Sequence, residues 1–228
     1  MLEEAKRRDH RKLGVQLDLF TFSELVGPGL PLWTPKGTLL RNLLDGFVWE
    51  LREARGYDRV TIPHITKKEL YETSGHWQKF ADQLFHITTR EGHEFAMKPM
   101  NCPHHTQIYA SKPRSYKDLP QRYAETTTCY RDEQTGELHG LSRVRAFSQD
   151  DAHVFCRMEQ VKEEFLKIWD IVDTFYSTVG FKDLEVRLSL HDPDNFDKYL
   201  GTPELWKKAE GSIRELATDR GIEFVEDI

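Results

Sequence analysis

The chain has 228 residues, 38% of them apolar, with 13 Phe, 8 Tyr and 5 Trp; that suffices for a buried core and excludes a disordered chain. Its 32 basic and 38 acidic residues leave a net charge of −6, so any nucleic-acid contact has to be local or made by another part of the protein. No apolar run reaches the about 18 residues of a membrane span, Met1 to Lys12 is too charged for a secretory signal, and three scattered cysteines (Cys102, Cys129, Cys156) make no disulfide framework, so a cytoplasmic location is expected.

In chain order, Leu2 to Leu13 reads as a charged helix stopped by Gly14, and Gly27-Pro28-Gly29-Leu30-Pro31 as a turn-rich loop. Leu39, Leu40, Leu43, Leu44, Phe47, Val48 and Leu51 fall at helical spacing before a stop at Gly56. Val60 to Ile62 reads as a strand ending at Pro63, and Thr66-Lys67-Lys68-Glu69 as a capping box opening a helix to about Ser74. Short strands are expected near Leu84–Thr88 and Glu94–Lys98, then a helix from Pro103 to Ser111. Two long extended runs, Gln121–Glu133 and Ser142–Cys156, are joined by a Gly-containing segment and read as an antiparallel hairpin. A helical stripe from Val161 to Val179, a strand at Leu184–Leu190, a helix after Thr202-Pro203 and a strand starting at Ile222–Val225 complete the pattern. No Gly-rich phosphate loop opens a helix, which argues against nucleotide-binding folds of the Rossmann and P-loop kind. The fold class expected is α+β, an antiparallel sheet flanked by helices.

The second hairpin strand carries the densest chemistry. Alternate residues share a face, so Arg143, Arg145, Phe147, Gln149, Asp151 and His153 project together, and on the first strand Cys129, Arg131 and Glu133 do the same. Alternation alone leaves this an ordinary solvated surface, in which each Arg is an ion pair worth about 0–1 kcal/mol and Phe147 packs in a core.

The wording of the segment argues otherwise. Tyr130-Arg131-Asp132-Glu133, a loop, and Arg143-Val144-Arg145-Ala146-Phe147-Ser148-Gln149-Asp150-Asp151-Ala152-His153 resemble motif 2 of the class II aminoacyl-tRNA synthetases, and Gly56-Tyr57 through Thr61-Ile62-Pro63 resembles motif 1. Met97-Lys98-Pro99-Met100-Asn101-Cys102-Pro103, Ser74-Gly75-His76-Trp77 and Arg8-Asp9-His10-Arg11-Lys12-Leu13-Gly14 resemble the threonyl branch of that family. The resemblance covers essentially the whole chain, with motif 1 at about 40–63 and motif 2 at about 121–156.

It implies ATP-dependent activation of threonine to threonyl-adenylate and transfer to tRNA(Thr), with Mg2+ accompanying ATP. By the family pattern Arg131 meets the α-phosphate, Arg143 the γ-phosphate, Glu133 the adenine amino group, and Phe147 stacks on the ring; such cations meet the charge that builds up as pyrophosphate leaves. Gln149 and Asp151 match residues around the substrate's amino group, Met100 a pocket wall, and His76 a histidine near the transfer step, with an exposed helix-end histidine as the competing reading. Cys102 and His153 match two ligands of a catalytic Zn2+ that takes the amino and hydroxyl groups of threonine. Apolar contacts separate threonine from valine by only about 100-fold, whereas a metal requiring a hydroxyl rejects valine. His104 departs from the glycine frequent at that place in the family.

The family's third zinc histidine, motif 3, and its editing and anticodon-binding domains match nothing here. The chain is therefore expected to be the first part of a catalytic domain, homodimeric through motif 1 and inactive alone. Alternatives are a truncated relative acting as a binding or dimerisation module, and a sister synthetase for serine or proline, which the Cys102 and His153 pair disfavours.

Overall fold

The structure, a computed structural model, describes residues 2–181 and 184–228. It divides into two compact units, residues 1–156 and 157–228.

The first unit begins with α1 (Leu2–Arg7) and α2 (His10–Gln16) rather than one helix. Asp9 intervenes as N-cap, its carboxylate accepting the Arg11 amide. Gly14 is not a stop but lies inside α2, where a Cβ would overlap the Phe20 ring. A two-stranded ribbon, β1 (Phe20–Thr21) with β2 (Leu32–Trp33), leads into α3 (Pro35–Glu53), which opens with the Thr34 hydroxyl accepting the Gly37 amide and Pro35 in its first turn. The expected leucine stripe forms, but its first half does not face a core. Leu39 and Leu43 are 59% and 62% exposed, while Val48 and Arg52 near the far end are buried.

The expected strand at Val60 falls earlier, as β3 (Asp58–Arg59), with the Val60 amide donating to the Ala124 carbonyl just past its end. Thr66 does not cap a helix. It lies in β4 (Ile65–Lys67), and α4 (Lys68–Thr73) starts without a side-chain cap because the upstream residues are committed to strand pairing. After α5 (His76–Lys79), β5 (His86–Thr88) and β6 (Glu94–Met97) complete an antiparallel sheet in the order β4-β6-β5. Its core is Tyr71, Leu84 and Ala96, with Trp77 and Phe80 packed on them.

The helix α6 (Cys102–Ala110) precedes the long hairpin, β7 (Gln121–Tyr130) and β8 (Ala146–Phe155), paired from Gln121↔Phe155 to Tyr130↔Ala146. β3 adds to the free side of β7 in parallel, giving the order β3-β7-β8. Both strands are shorter than their sequence patterns suggest. The ladder ends just past this register, at the bond from the Arg131 amide to the Arg145 carbonyl, because the Gly29 carbonyl accepts the Arg145 and Ala146 amides, and residues 132–144 form the connecting loop. Gly29 has φ +75°, a backbone conformation that suits glycine at this close approach. Across that loop the His10 ring accepts the Leu141 amide, which ties the amino-terminal helix to the hairpin tip.

In the second unit, α7 (Val161–Thr178) is followed by β9 (Val186–Ser189), α8 (Pro203–Asp219) capped by Thr202, and β10 (Phe224–Asp227). β9 and β10 pair in parallel, as a strand–helix–strand crossover requires, while the main hairpin is antiparallel. Ile171, Leu188, Leu216 and Ala217 are buried there, and His191 bonds Glu210 at 2.7 Å. Among the described residues no helix is long and apolar enough to cross a membrane.

Candidate active site

The odd-numbered face of β8 presents Phe147, Gln149, Asp151 and His153 in a row, opposite Cys129, Thr127, Glu125 and Tyr123 of β7. Arg143 and Arg145 do not extend this row, because both precede the strand. The even-numbered face meets α3: Arg41 bonds Ser148, and Arg52 donates to the Asp150 carboxylate and the Asp151 carbonyl, each at 2.7 Å. Burial raises the Asp150 carboxyl from its ordinary range, against the pull of Arg52.

The odd face meets the segment Lys98–His105. Pro103 in its first turn and Asn101 at its start turn the chain into α6, and this brings two side chains onto β8. The buried Asn101 amide donates to Asp151 at 2.9 Å, and the buried His105 ring faces His153 with Nδ1 atoms 2.8 Å apart. Lys98, fully buried, donates to Thr127 at 2.8 Å, and burial depresses its ammonium from the ordinary lysine range. Cys129, with no exposed surface, approaches Asn101 Oδ1 and Gln149 Oε1, and burial pushes its thiol up to about 11. His104 and His105 are both held down to about 4 by burial, so both are neutral at pH 7.

Arg131 and Phe147 come together: the guanidinium lies 5.0 Å from the ring centroid, and its buried Nε has no hydrogen-bond partner. Arg143 and Glu133 are also joined, by an ion pair at 2.8 Å, with Glu137 adding a second carboxylate at 3.0 Å. Glu133 is not on a continuation of β7; its amide turns back onto the Arg131 carbonyl. Gln149 is exposed, and Met100 is half-buried between the buried Pro99 and Asn101. His76 stands apart on α5, bonded to Ser74 at 2.9 Å and stacked on Phe80, and burial lowers its pKa. Cys102, at the first position of α6, is half-buried with its thiol raised by burial. No hydrogen bond links Cys102 to His153, and among the described residues no group of three His, Cys, Asp or Glu side chains is placed to hold a metal. A cleft of about 480 Å3 lined by Phe22, Pro28, Thr135 and Leu138 includes none of these residues.

Sequence reasoning missed Arg52, Lys98, Asn101, Glu125 and His105. Three of them stood inside the Met97–His105 segment, where Met100, Cys102 and His104 were singled out, and a lone polar residue gives no sign of what it will face across a fold.

A strand pair bearing this row of aromatic, amide, carboxylate and imidazole groups, gripped by α3 and α6, defines the class. The chain belongs to the tRNA synthetase class II core domain family (G, H, P, S and T), whose model matches residues 85–225. Within that class it is similar to threonine–tRNA ligases. It is 56% identical to the one from Cytophaga hutchinsonii, over 100% of this chain and 36% of that protein, and 54% identical to the one from Flavobacterium johnsoniae, over 99% and 35%. The chain thus spans about a third of the length of these curated relatives. The solved RNA binding domain of threonyl-tRNA synthetase from Cryptosporidium parvum is 37% identical, with a TM-score of 0.89 over 96% of this chain and 54% of that one.

Proposed function

We propose that the chain forms the first part of the catalytic domain of a threonine–tRNA ligase, which activates threonine with ATP in the cytoplasm and transfers it to tRNA(Thr). The observation that carries this reading is the row Phe147, Gln149, Asp151 and His153 on one strand face, with Arg131 over Phe147, in a chain more than half identical to such ligases.

In this reading the threonine carboxylate attacks the α-phosphate and pyrophosphate leaves. Arg131 supplies a fixed cation at the α-phosphate, and its buried, unpartnered Nε is a donor held ready. The adenine stacks on Phe147 with its amino group on Glu133. Arg143 reaches the γ-phosphate by giving up its pair with Glu133, so ATP replaces one ion pair by two contacts. Mg2+ accompanies the phosphates. Asp151, held by Asn101, and Gln149 receive the substrate's amino group and nearby polar atoms, Met100 forms a wall, and His76 serves the transfer step.

Cys102 and His153 are donors of the kind zinc takes, a thiol and an imidazole whose Nδ1 is engaged by His105 while Nε2 has no partner among the described residues. They fit as two ligands of a zinc whose third ligand lies outside this chain. A zinc held there would supply a Lewis-acid site for the threonine hydroxyl and amino groups, a contact that valine, lacking the hydroxyl, could not make. The exposed Leu39, Leu40, Leu43 and Leu44 on α3 suit a homodimer interface.

The test is ATP–pyrophosphate exchange by the full-length protein with threonine, valine, serine and proline in turn. Exchange that depends on threonine, is weak with valine, and falls at least about 100-fold in Arg131→Ala is expected. Exchange with proline, or none with threonine, overturns the reading.

A further inference from the structure

The turn at residues 101–105 grips the β8 face at two alternate positions. Asn101 holds Asp151, and His105 holds His153. The first contact orients a carboxylate. The second has a sharper consequence, because a bond between two imidazoles decides where a proton sits.

His105 is wholly buried, and its ring stands at 90° to that of His153 with centroids 4.8 Å apart. A charged imidazolium is costly in such a place, so His105 is neutral. A metal-binding imidazole has to be neutral, so with the Nδ1 atoms 2.8 Å apart one Nδ1 carries the hydrogen and the other offers its lone pair. If His105 donated, His153 would carry its own proton on Nε2 and present an N–H outward. If His105 accepts, His153 is the Nδ1–H tautomer and presents an Nε2 lone pair. Only the second arrangement makes a metal ligand of His153. His105 then carries its proton on Nε2, which is buried and without a hydrogen-bond partner.

We infer that His105 is a positioning residue for His153, accepting its Nδ1–H and so fixing both the ring plane and the tautomer that leaves Nε2 free for zinc. The inference rests on the zinc reading above. α6 suits the role, since the His105 amide bonds the Asn101 carbonyl and Pro103 stiffens the same turn. The side chain is therefore presented from a backbone held at both ends of the contact.

The experiment compares the full-length protein with His105→Leu, which keeps bulk and removes the acceptor, and His105→Asn, whose Oδ1 stands near the place of Nδ1 and accepts. Zinc affinity is read by competition with a chromophoric chelator, and the His153 tautomer by 15N chemical shifts in the zinc-free protein. Circular dichroism and thermal unfolding check that each variant is folded. Zinc affinity about 10–100-fold weaker in His105→Leu, recovered in His105→Asn, is expected for an outer-shell partner. The 15N shifts should show His153 in the Nδ1–H form in the wild type and a mixture of tautomers in His105→Leu. Equal zinc affinity in His105→Leu and wild type, or a wild-type His153 protonated on Nε2, overturns the inference while leaving the zinc reading intact. Equal, near-complete loss of zinc in both variants makes His105 a ligand and also overturns it. A wild-type protein that takes up no zinc removes the zinc reading, and the positioning role with it.

Discussion

Removing Arg52 should cost far more than its place on a charged helix suggests. The side chain is 10% exposed, donates two bonds of 2.7 Å to β8, and lies 5.7 Å from the Tyr57 ring centroid. Bonds to charged groups contribute about 1.5–3 kcal/mol each, and breaking a fully buried ion pair costs about 3–5 kcal/mol. The Asp150 side chain keeps 32% exposure, so it recovers part of its hydration once the guanidinium is gone. An expectation of about 2–4 kcal/mol for Arg52→Ala follows from those ranges after that discount. Arg59→Ala is the internal control: its pair with Asp45 is of similar length, 2.8 Å, but with 47% and 30% exposure, and such pairs contribute at most about 1 kcal/mol. Urea unfolding, read as a shift in midpoint at constant m, measures both. Because the loss in Arg52→Ala includes an unpaired, partly buried carboxylate, adding Asp150→Asn should restore some of it. A loss in Arg52→Ala no larger than that in Arg59→Ala, or no recovery in the double variant, refutes the argument that burial sets the strength of this clamp.

Two further outcomes follow from the packing. Gly37→Ala should destabilise by more than about 2 kcal/mol although alanine favours helices, because its Cβ would overlap the Leu19 carbonyl oxygen, whereas Gly46→Ala on the same helix meets nothing within 4 Å and should stabilise by about 0.5–1 kcal/mol; thermal unfolding separates the two. Cys129, fully buried with its thiol pushed up to about 11, should resist iodoacetamide at pH 8 until the protein unfolds, while the half-buried Cys102 and Cys156 are modified first, and mass spectrometry showing Cys129 labelled at their rate would contradict the burial.

The sequence by itself determined the order and type of the main elements, because the signals involved are local. Hairpin alternation placed β7 and β8, leucine spacing placed α3, and Thr202-Pro203 marked the start of α8. It also displayed Phe147, Gln149, Asp151 and His153 on one face, since a period of two is a property of any strand. Where those patterns ended was another matter. Arg143 and Arg145 read as strand residues, but the Gly29 carbonyl, more than a hundred positions away, captures the Arg145 amide and closes the ladder. Thr66 read as a cap, but pairing with Ala96 claimed it for β4.

Tertiary structure alone decided what covers each face of β8. Nothing in the order of residues says that Arg52 will reach Asp150, that Asn101 will hold Asp151, or that His105 will meet His153, because each contact joins segments brought together only by folding. The same holds for the protonation of these groups. The depressed Lys98 and His105 and the raised Cys129 owe their shifts first to burial, and burial is a property of the surroundings that a side chain acquires when the chain closes over it.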